Sequence, residues 1–418
     1  MLEYYYKERR SLVDFRRGPI GPYFDGFATH LKGKGYAHIY VKTILGRCCL
    51  LNTYLIDQGI TTCKRVTPSI IESFLDVYLP KFANFSRYQT MRTAHCSMKH
   101  LSDYMVGIGV FPPVSSKPPM TRYSWMLEPY LKYLLEDCQR SVKTIRNLRG
   151  QLSLFLEDLG DKAVPRKMKS LRADEIETYI KRHLKDNQGS LRKLTSVLRG
   201  FLQFCARKQY TARDLSGVIP SVPYYRMATI PRGIKDSDIQ RMLDVIPRDT
   251  PGGCRDYAIV LLLMAYGIRG KLAAELLLED LCWQRSTIRI RAKKGGKEVL
   301  LPLIEAVGEA ILAYLRHRPD RPYREVFLSV RGPFKPLSGL AISRIVRQYM
   351  DRANVKVPRG GTSTLRHTWA IRALAQDVPM KAIADVLGHR CLDTTFIYAK
   401  ADLKALRQVA MPWPGGTS

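Results

Sequence analysis

Acidic residues are scarce in this sequence. Asp and Glu number 37 against 68 Lys and Arg, which leaves a formal net charge of +31. A surplus of this size points to a polyanionic partner, and nucleic acid is the commonest one. The cations are spread through segments that read as folded and are not gathered in a tail, which favours extended nucleic-acid contact over a membrane-binding patch.

Long apolar runs are missing as well. No stretch approaches the roughly 18 apolar residues that span a bilayer, and the longest, Tyr257 to Ile268, reads as a buried helix. The opening residues, MLEYYYKERRSLVDFRRG, contain no apolar stretch of the secretory-signal type. The nine cysteines include no CxxC pair, so reduced thiols in a cytoplasmic protein are expected. His95, Cys96 and His100 are close in sequence, but their spacing does not suit a tetrahedral zinc site. No metal, cofactor or small-molecule substrate is expected, and no membrane partner. The rest is ordinary globular usage, 45% hydrophobic and 25% charged over 418 residues, enough for two to four domains.

Proline marks the joints between them. FPPVSSKPPM at 111–120 cannot continue a helix, and LSGVIPSVPYYRMATIPRG at 215–233 carries three prolines. The reading is a tail at 1–20, a helical module at 21–111, a linker at 112–120, a second module at 121–214, a linker at 215–233, a third segment at 234–410 and a tail at 411–418. The first two modules look like copies. Val41-Lys42-Thr43-Ile44 recurs at Val142-Lys143-Thr144-Ile145, and the glycines ending the following apolar runs, Gly59 and Gly160, are also 101 residues apart. Both read as all-helical. The third segment is mixed. Asp236 or Ser237 is placed to cap its first helix, and Gly267 to end the apolar helix 256–266. STIRIR at 286–291 and 299–303 read as two strands around a Gly295-Gly296 hairpin turn. Helices follow at about 303–316, 338–353, 365–376, 380–387 and 394–408.

The most specific pattern lies near the end. Met380, Ile383, Ala384 and Leu387 form one apolar helix face, and Gly388 suits its stop. His389 then leaves the helix end at a fixed position. Asp393 is placed to cap a short helix that presents Tyr398, so the two side chains can converge. Upstream, Arg366 stands in the first turn of a helix.

These residues resemble those of the tyrosine recombinase (phage integrase) family. GIRGKLAAELLLEDL at 267–281 is similar to its first-arginine box and RAKKGGKEVLLPL at 291–303 to its lysine hairpin. TLRHTWA at 364–370 is similar to the second-arginine box, and IADVLGHRCLDTTFIYAKADL at 383–403 to the histidine–tyrosine box. The successive gaps from Arg269 to Lys294, Arg366, His389 and Tyr398 are 25, 72, 23 and 9 residues. The resemblance covers about 124 to 413. It implies a mainly α chain with a small β-sheet: two N-terminal all-helical modules of SAM-like core-binding type, then a mixed α/β catalytic domain. It also implies a site-specific recombinase of a mobile element that acts on double-stranded DNA. The working unit would be a homo-tetramer on two DNA sites, alone or beside other recombinases.

The residue types suit that chemistry. Arg269 and Arg366 can hold phosphate oxygens by permanently charged, bidentate hydrogen bonds. Tyr398 would attack phosphorus and store the bond's energy as a 3′-phosphotyrosine, so resealing needs no ATP and no metal to activate water. A hairpin lysine would protonate the leaving 5′-oxygen. Lys293, Lys294 and Lys297 compete for that role. Alignment from the following strand assigns Lys294, and leaves Lys293 and Lys297, with Arg289 and Arg291 on the preceding strand, as DNA contacts. His389 would hydrogen-bond the scissile phosphate.

Two positions depart from the family pattern. A histidine is usual three residues before the second arginine, and here that position is Ser363, which cannot shuttle a proton near neutral pH. His367 is expected on another face of the helix and not as its substitute. An acidic residue often follows the first arginine by three, and here it is Leu272, with Glu275 one turn further on. Slowed chemistry is expected. The rival reading is a weakened or inactive DNA-binding accessory protein of a recombination system. Another is a strand transferase of topoisomerase or telomere-resolving type that acts on one duplex.

Overall fold

The structure, a computed structural model, describes residues 1–82, 87–112, 121–183, 188–221, 233–291, 298–358, 360–389 and 391–399. Lys293, Lys294 and Lys297, most of both proline joints and the stretch after 399 lie outside the described residues, so the expectations placed on them stand as expectations.

The chain packs as two compact units, Ser115–Arg226 and the remainder, Met1–Val114 with Met227–Ser418. In Ser115–Arg226, helices Ser124–Glu136, Val142–Asp158, Ala173–His183 and Gln188–Arg207 enclose a core built on Met126, Leu152, Phe155, Ile176, Leu198 and Phe201. Ser141 begins the second helix by accepting a hydrogen bond from the Thr144 amide at 3.3 Å, which satisfies one of the orphan donors at the helix start.

In residues 1–112, helices Phe24–Gly33, His38–Asp57 and Arg87–Gly107 surround Phe24, Phe27, Leu31, Ile44, Leu51 and Leu101. Residues 1–20, expected as a tail, are part of this core. Leu2, Tyr5, Phe15 and Ile20 are buried, the first three on two short helices, Leu2–Tyr5 and Arg9–Arg16. Buried Asn52 fastens the segment: its Oδ1 accepts the Ile20 amide at 3.0 Å and its Nδ2 donates to the Arg17 carbonyl at 2.5 Å. Among the described residues, one helix, His38–Asp57, is long and apolar enough to cross a membrane by composition. Val41, Ile44, Leu45, Cys48, Leu51 and Leu55 place its apolar side in this core.

The likeness of the two modules lies in their ends. Helices His38–Asp57 and Val142–Asp158 both stop before a left-handed glycine, Gly59 at φ 68° and Gly160 at φ 55°. The repeated tetrapeptide does not occupy equivalent places. Val41 is fully buried, whereas Val142 is 64% exposed, because the second helix begins only at Val142.

The third segment holds a three-stranded antiparallel sheet in the order β1 (Leu281–Cys282), β2 (Thr287–Ile290), β3 (Val299–Pro302). Its register pairs Leu281 with Ile288 and Ile290 with Val299. β1 was not expected, since two residues are too few to show alternation. Helices Pro251–Tyr266, Glu305–Leu315 and Gly339–Arg352 pack around Leu262, Leu263, Ile288, Ile311 and Val346. Helix Asp236–Asp244 is capped at Lys235, without the side-chain hydrogen bond expected of Asp236 or Ser237. Helices Thr362–Ala375 and Met380–Leu387 carry a second apolar cluster that includes Ala370, Leu374, Ile383, Leu387 and Tyr398.

Candidate active site

Helix Pro251–Tyr266 ends at Gly267, whose φ of 59° is left-handed. The residue type matters there, because an added Cβ would lie 2.8 Å from Trp369 Cδ2. Trp369 is itself held across the helix end by its Nε1 donating to the Ala265 carbonyl at 3.0 Å. Gly267→Ala is therefore expected to cost about 1–3 kcal/mol through strain at positive φ and displacement of Trp369. A melting temperature within a degree of the parent would contradict this.

After Gly267 the backbone buries Ile268 and turns Arg269 outward at the start of helix Gly270–Ala274. Arg269 Nη1 lies 3.4 Å from the carbonyls of both Leu387 and Gly388. Arg366 reaches the same place from helix Thr362–Ala375. Its Nη2 donates to Leu387 O at 2.7 Å and its Nη1 to Gly267 O at 3.0 Å. The two guanidiniums meet at the carbonyl end of helix Met380–Leu387, where the macrodipole favours positive charge. Arg366 is 8% exposed, and burial, then the neighbouring charge of Arg269, lowers its pKa to about 10, which still leaves it cationic at neutral pH.

His389 follows Gly388, left-handed at φ 61°. Arg366 Nη2 is 2.8 Å from His389 Nε2. Arginine can only donate, so Nε2 offers its lone pair and the hydrogen sits on Nδ1. Nδ1 then donates to Thr395 Oγ1 at 2.7 Å. Burial first, then the charges of Arg366, Arg269 and His367, push His389 down to about 4. The unfolded chain, with histidine near 6.5, takes up the proton earlier as pH falls. The stability this group contributes is thus complete above about pH 6.5 and lost from there down towards pH 4. His389→Gln is expected to flatten part of that fall in a pH series of melting temperatures. Parallel curves for variant and parent would count against it.

Tyr398 sits in a turn after the short 3₁₀ helix Leu392–Thr394, and most of the helix expected over 394–408 lies outside the described residues. It is 1% exposed and packs with Ala370, Leu374, Ile383 and Leu387. Burial raises its phenol, while Arg366, which also hydrogen-bonds it, and Arg269 pull the other way. Its Oη is 2.9 Å from His367 Nδ1. His367 does lie on a face other than that of Arg366, as the spacing predicts, and its meeting with Tyr398 is what the spacing did not show. Residues 367, 370 and 374 share one helix face, and that face meets Tyr398.

Arg269, Arg366, His389 and Tyr398 are thus brought to one place. Ser363 is exposed in the first turn of helix Thr362–Ala375. Arg289 is exposed on β2. Arg291, expected as a DNA contact, donates from Nε to the buried carboxylate of Asp280 at 2.7 Å. Strands β2 and β3 flank the segment that bears Lys293, Lys294 and Lys297.

The sequence profile of the phage integrase family matches residues 232–404, and that of the phage integrase N-terminal SAM-like domain matches 127–209. A putative integrase/recombinase of Sinorhizobium fredii, y4rA, is 32% identical over 403 residues, which cover 95% of each chain. The chain belongs to the phage integrase family. Tyrosine recombinase XerA of Pyrococcus furiosus is 29% identical over 291 residues, 69% of this chain and 93% of that relative. The solved structure of XerH site-specific recombinase bound to palindromic difH substrate covers 82% of this chain and 94% of its own, with a TM-score of 0.56. At 15% identity that likeness speaks for the fold alone. By family the integrase is an enzyme, a tyrosine-type recombinase.

Proposed function

We propose that this integrase cuts and rejoins duplex DNA at specific sites through a 3′-phosphotyrosyl bond to Tyr398, and so moves a mobile element into and out of its host DNA. The observation that carries the reading is the meeting of Arg269, Arg366, His389 and Tyr398 at the end of helix Met380–Leu387. The net charge of +31 suits a polyanionic duplex, and among the neighbours in fold XerH was solved bound to palindromic difH substrate and lambda integrase bound to DNA.

In this reading the guanidiniums of Arg269 and Arg366 take the non-bridging oxygens of the scissile phosphate. The Tyr398 oxygen bonds to phosphorus as the bond to the 5′-oxygen breaks, and a proton from Lys294 neutralises the departing oxygen. One phosphodiester is exchanged for another, so resealing by a second 5′-hydroxyl needs no external energy. Exchange between two duplexes calls for a homo-tetramer on two sites, alone or with other recombinases, in the cytoplasm.

The test uses nicked suicide duplexes tiled across the DNA that flanks the gene. An SDS-resistant protein–DNA adduct is expected on at least one duplex, and exchange between two copies of that duplex. Adduct without exchange favours a one-duplex strand transferase. Salt-sensitive binding without adduct favours the accessory protein that Ser363 suggests.

A further inference from the structure

The family's usual histidine three residues before the second arginine is Ser363 here, an exposed hydroxyl. Yet the phenol that must lose a proton is not without a base. We propose that His367 is the general base of the cleavage step and that it accepts the Tyr398 proton at Nδ1 as the phenol oxygen bonds to phosphorus. The inference rests on Tyr398 being the nucleophile.

Geometry carries it. Nδ1 and Oη are 2.9 Å apart, with ring centroids 5.6 Å apart and planes inclined by 56°. This is within reach of direct proton transfer. Both partners are held. Tyr398 is 1% exposed among Ala370, Leu374, Ile383 and Leu387, and His367 is half-buried on a helix anchored by Arg366. His389 is unsuited to act as this base, because its Nε2 lone pair is taken by Arg366 and its Nδ1 hydrogen by Thr395.

Charge supports it too. Among the described residues, the charged and titratable groups around the pair are Arg366 on the same helix, Arg269 from the turn after helix Pro251–Tyr266, and His389 beyond helix Met380–Leu387. Burial, then Arg366, keeps the imidazole below its ordinary range, so it is neutral at pH 7 and free to accept. An arriving phosphate brings negative charge to Arg366 and Arg269, offsets their repulsion of an imidazolium and makes His367 more basic as the reaction begins. The balance is complete: the O–H bond of Tyr398 breaks, an N–H bond forms on His367, the P–O bond to tyrosine forms, and the P–O bond to the 5′-oxygen breaks. In resealing, His367 returns the proton to the phenol.

The experiment follows adduct formation on the tiled suicide duplexes from pH 6 to 9 in the full-length parent, His367→Gln and Tyr398→Phe, with duplex affinity measured alongside. The parent's rate is expected to be level above neutrality and to fall below it. His367→Gln keeps a polar group of similar reach but cannot titrate. It is expected to be roughly 100-fold slower at pH 7, with a rate that climbs with pH and narrows the gap as hydroxide removes the proton. A rate within twofold of the parent throughout overturns the proposal. So does a loss that is equal at every pH, which a structural role alone would give. Adduct persisting in Tyr398→Phe, or absent in the parent, overturns the phosphotyrosyl reading and this inference with it.

A second measurement needs no DNA. The His367 imidazole, identified by NMR as the signal lost in His367→Gln, should titrate at higher pH in Tyr398→Phe, because a phenol donating to neutral Nδ1 favours the neutral form. An unchanged titration shows that the contact does not exist and overturns the proposal.

Discussion

Tyr398→Phe is expected to abolish covalent adduct formation, a loss of at least about 10⁴-fold, while duplex affinity stays within about twofold. The substitution removes one oxygen and leaves the ring in its pocket among Ala370, Leu374, Ile383 and Leu387. Folding should change little. One hydrogen bond to His367 and one to Arg366 are lost, at about 1–2 kcal/mol. The effect therefore separates chemistry from structure. Tyr398→Ala would not, because it also leaves a cavity. The check is a gel assay of adduct beside a salt series of duplex binding. Adduct retained in the phenylalanine variant would show that another residue is the nucleophile.

Arg366→Lys has the second largest expected effect, because lysine keeps the charge and loses the fork. Arg366 spans two carbonyls and a ring nitrogen: Gly267 O, Leu387 O and His389 Nε2. A single ammonium cannot reach all three from one point. The adduct rate is expected to fall about 10²–10³-fold, the size seen when one oriented donor to a developing oxyanion is removed. Stability should fall as well, by about 2 kcal/mol, since buried acceptors lose their donor. Arg269→Lys is the control. Arg269 is exposed and its carbonyl contacts are long, 3.4 Å each. Its variant should lose rate with a melting temperature within about a degree of the parent. Equal melting losses in the two variants would contradict this division of roles.

Much of the site was legible because its signals are local. The stop at Gly388, the offset from His389 to Tyr398 and the position of Arg366 on a helix all depend on neighbours within a turn or two, and backbone geometry links such neighbours directly. The left-handed glycines at 267 and 388 were readable for the same reason. Local signals also misled. Residues 1–20 look like a charged tail, since MLEYYYKERRSLVDFRRG has no clean period, but Asn52 and a ready apolar surface give them a place. Arg291 reads as a DNA contact, and its pairing with Asp280, eleven residues earlier, is a link the sequence pattern did not show. Helical spacing puts His367 on a face other than that of Arg366 but does not show that this face meets Tyr398, because the direction of the helix relative to Tyr398, 31 residues on, is not a local property.

The order of the boxes, the mixed character of the third segment and the excess of positive charge belong to the sequence alone. They follow from residue type, helical period and turn chemistry, which act between near neighbours. Tertiary structure decided the rest. It brought Arg269, 118 residues before Leu387, and Arg366, 21 before it, to one carbonyl. It covered Tyr398 and set His367 against its hydroxyl. Such meetings depend on how helices pack over a shared core, and packing is settled by the shape and volume of side chains distant in the chain, which no local pattern records.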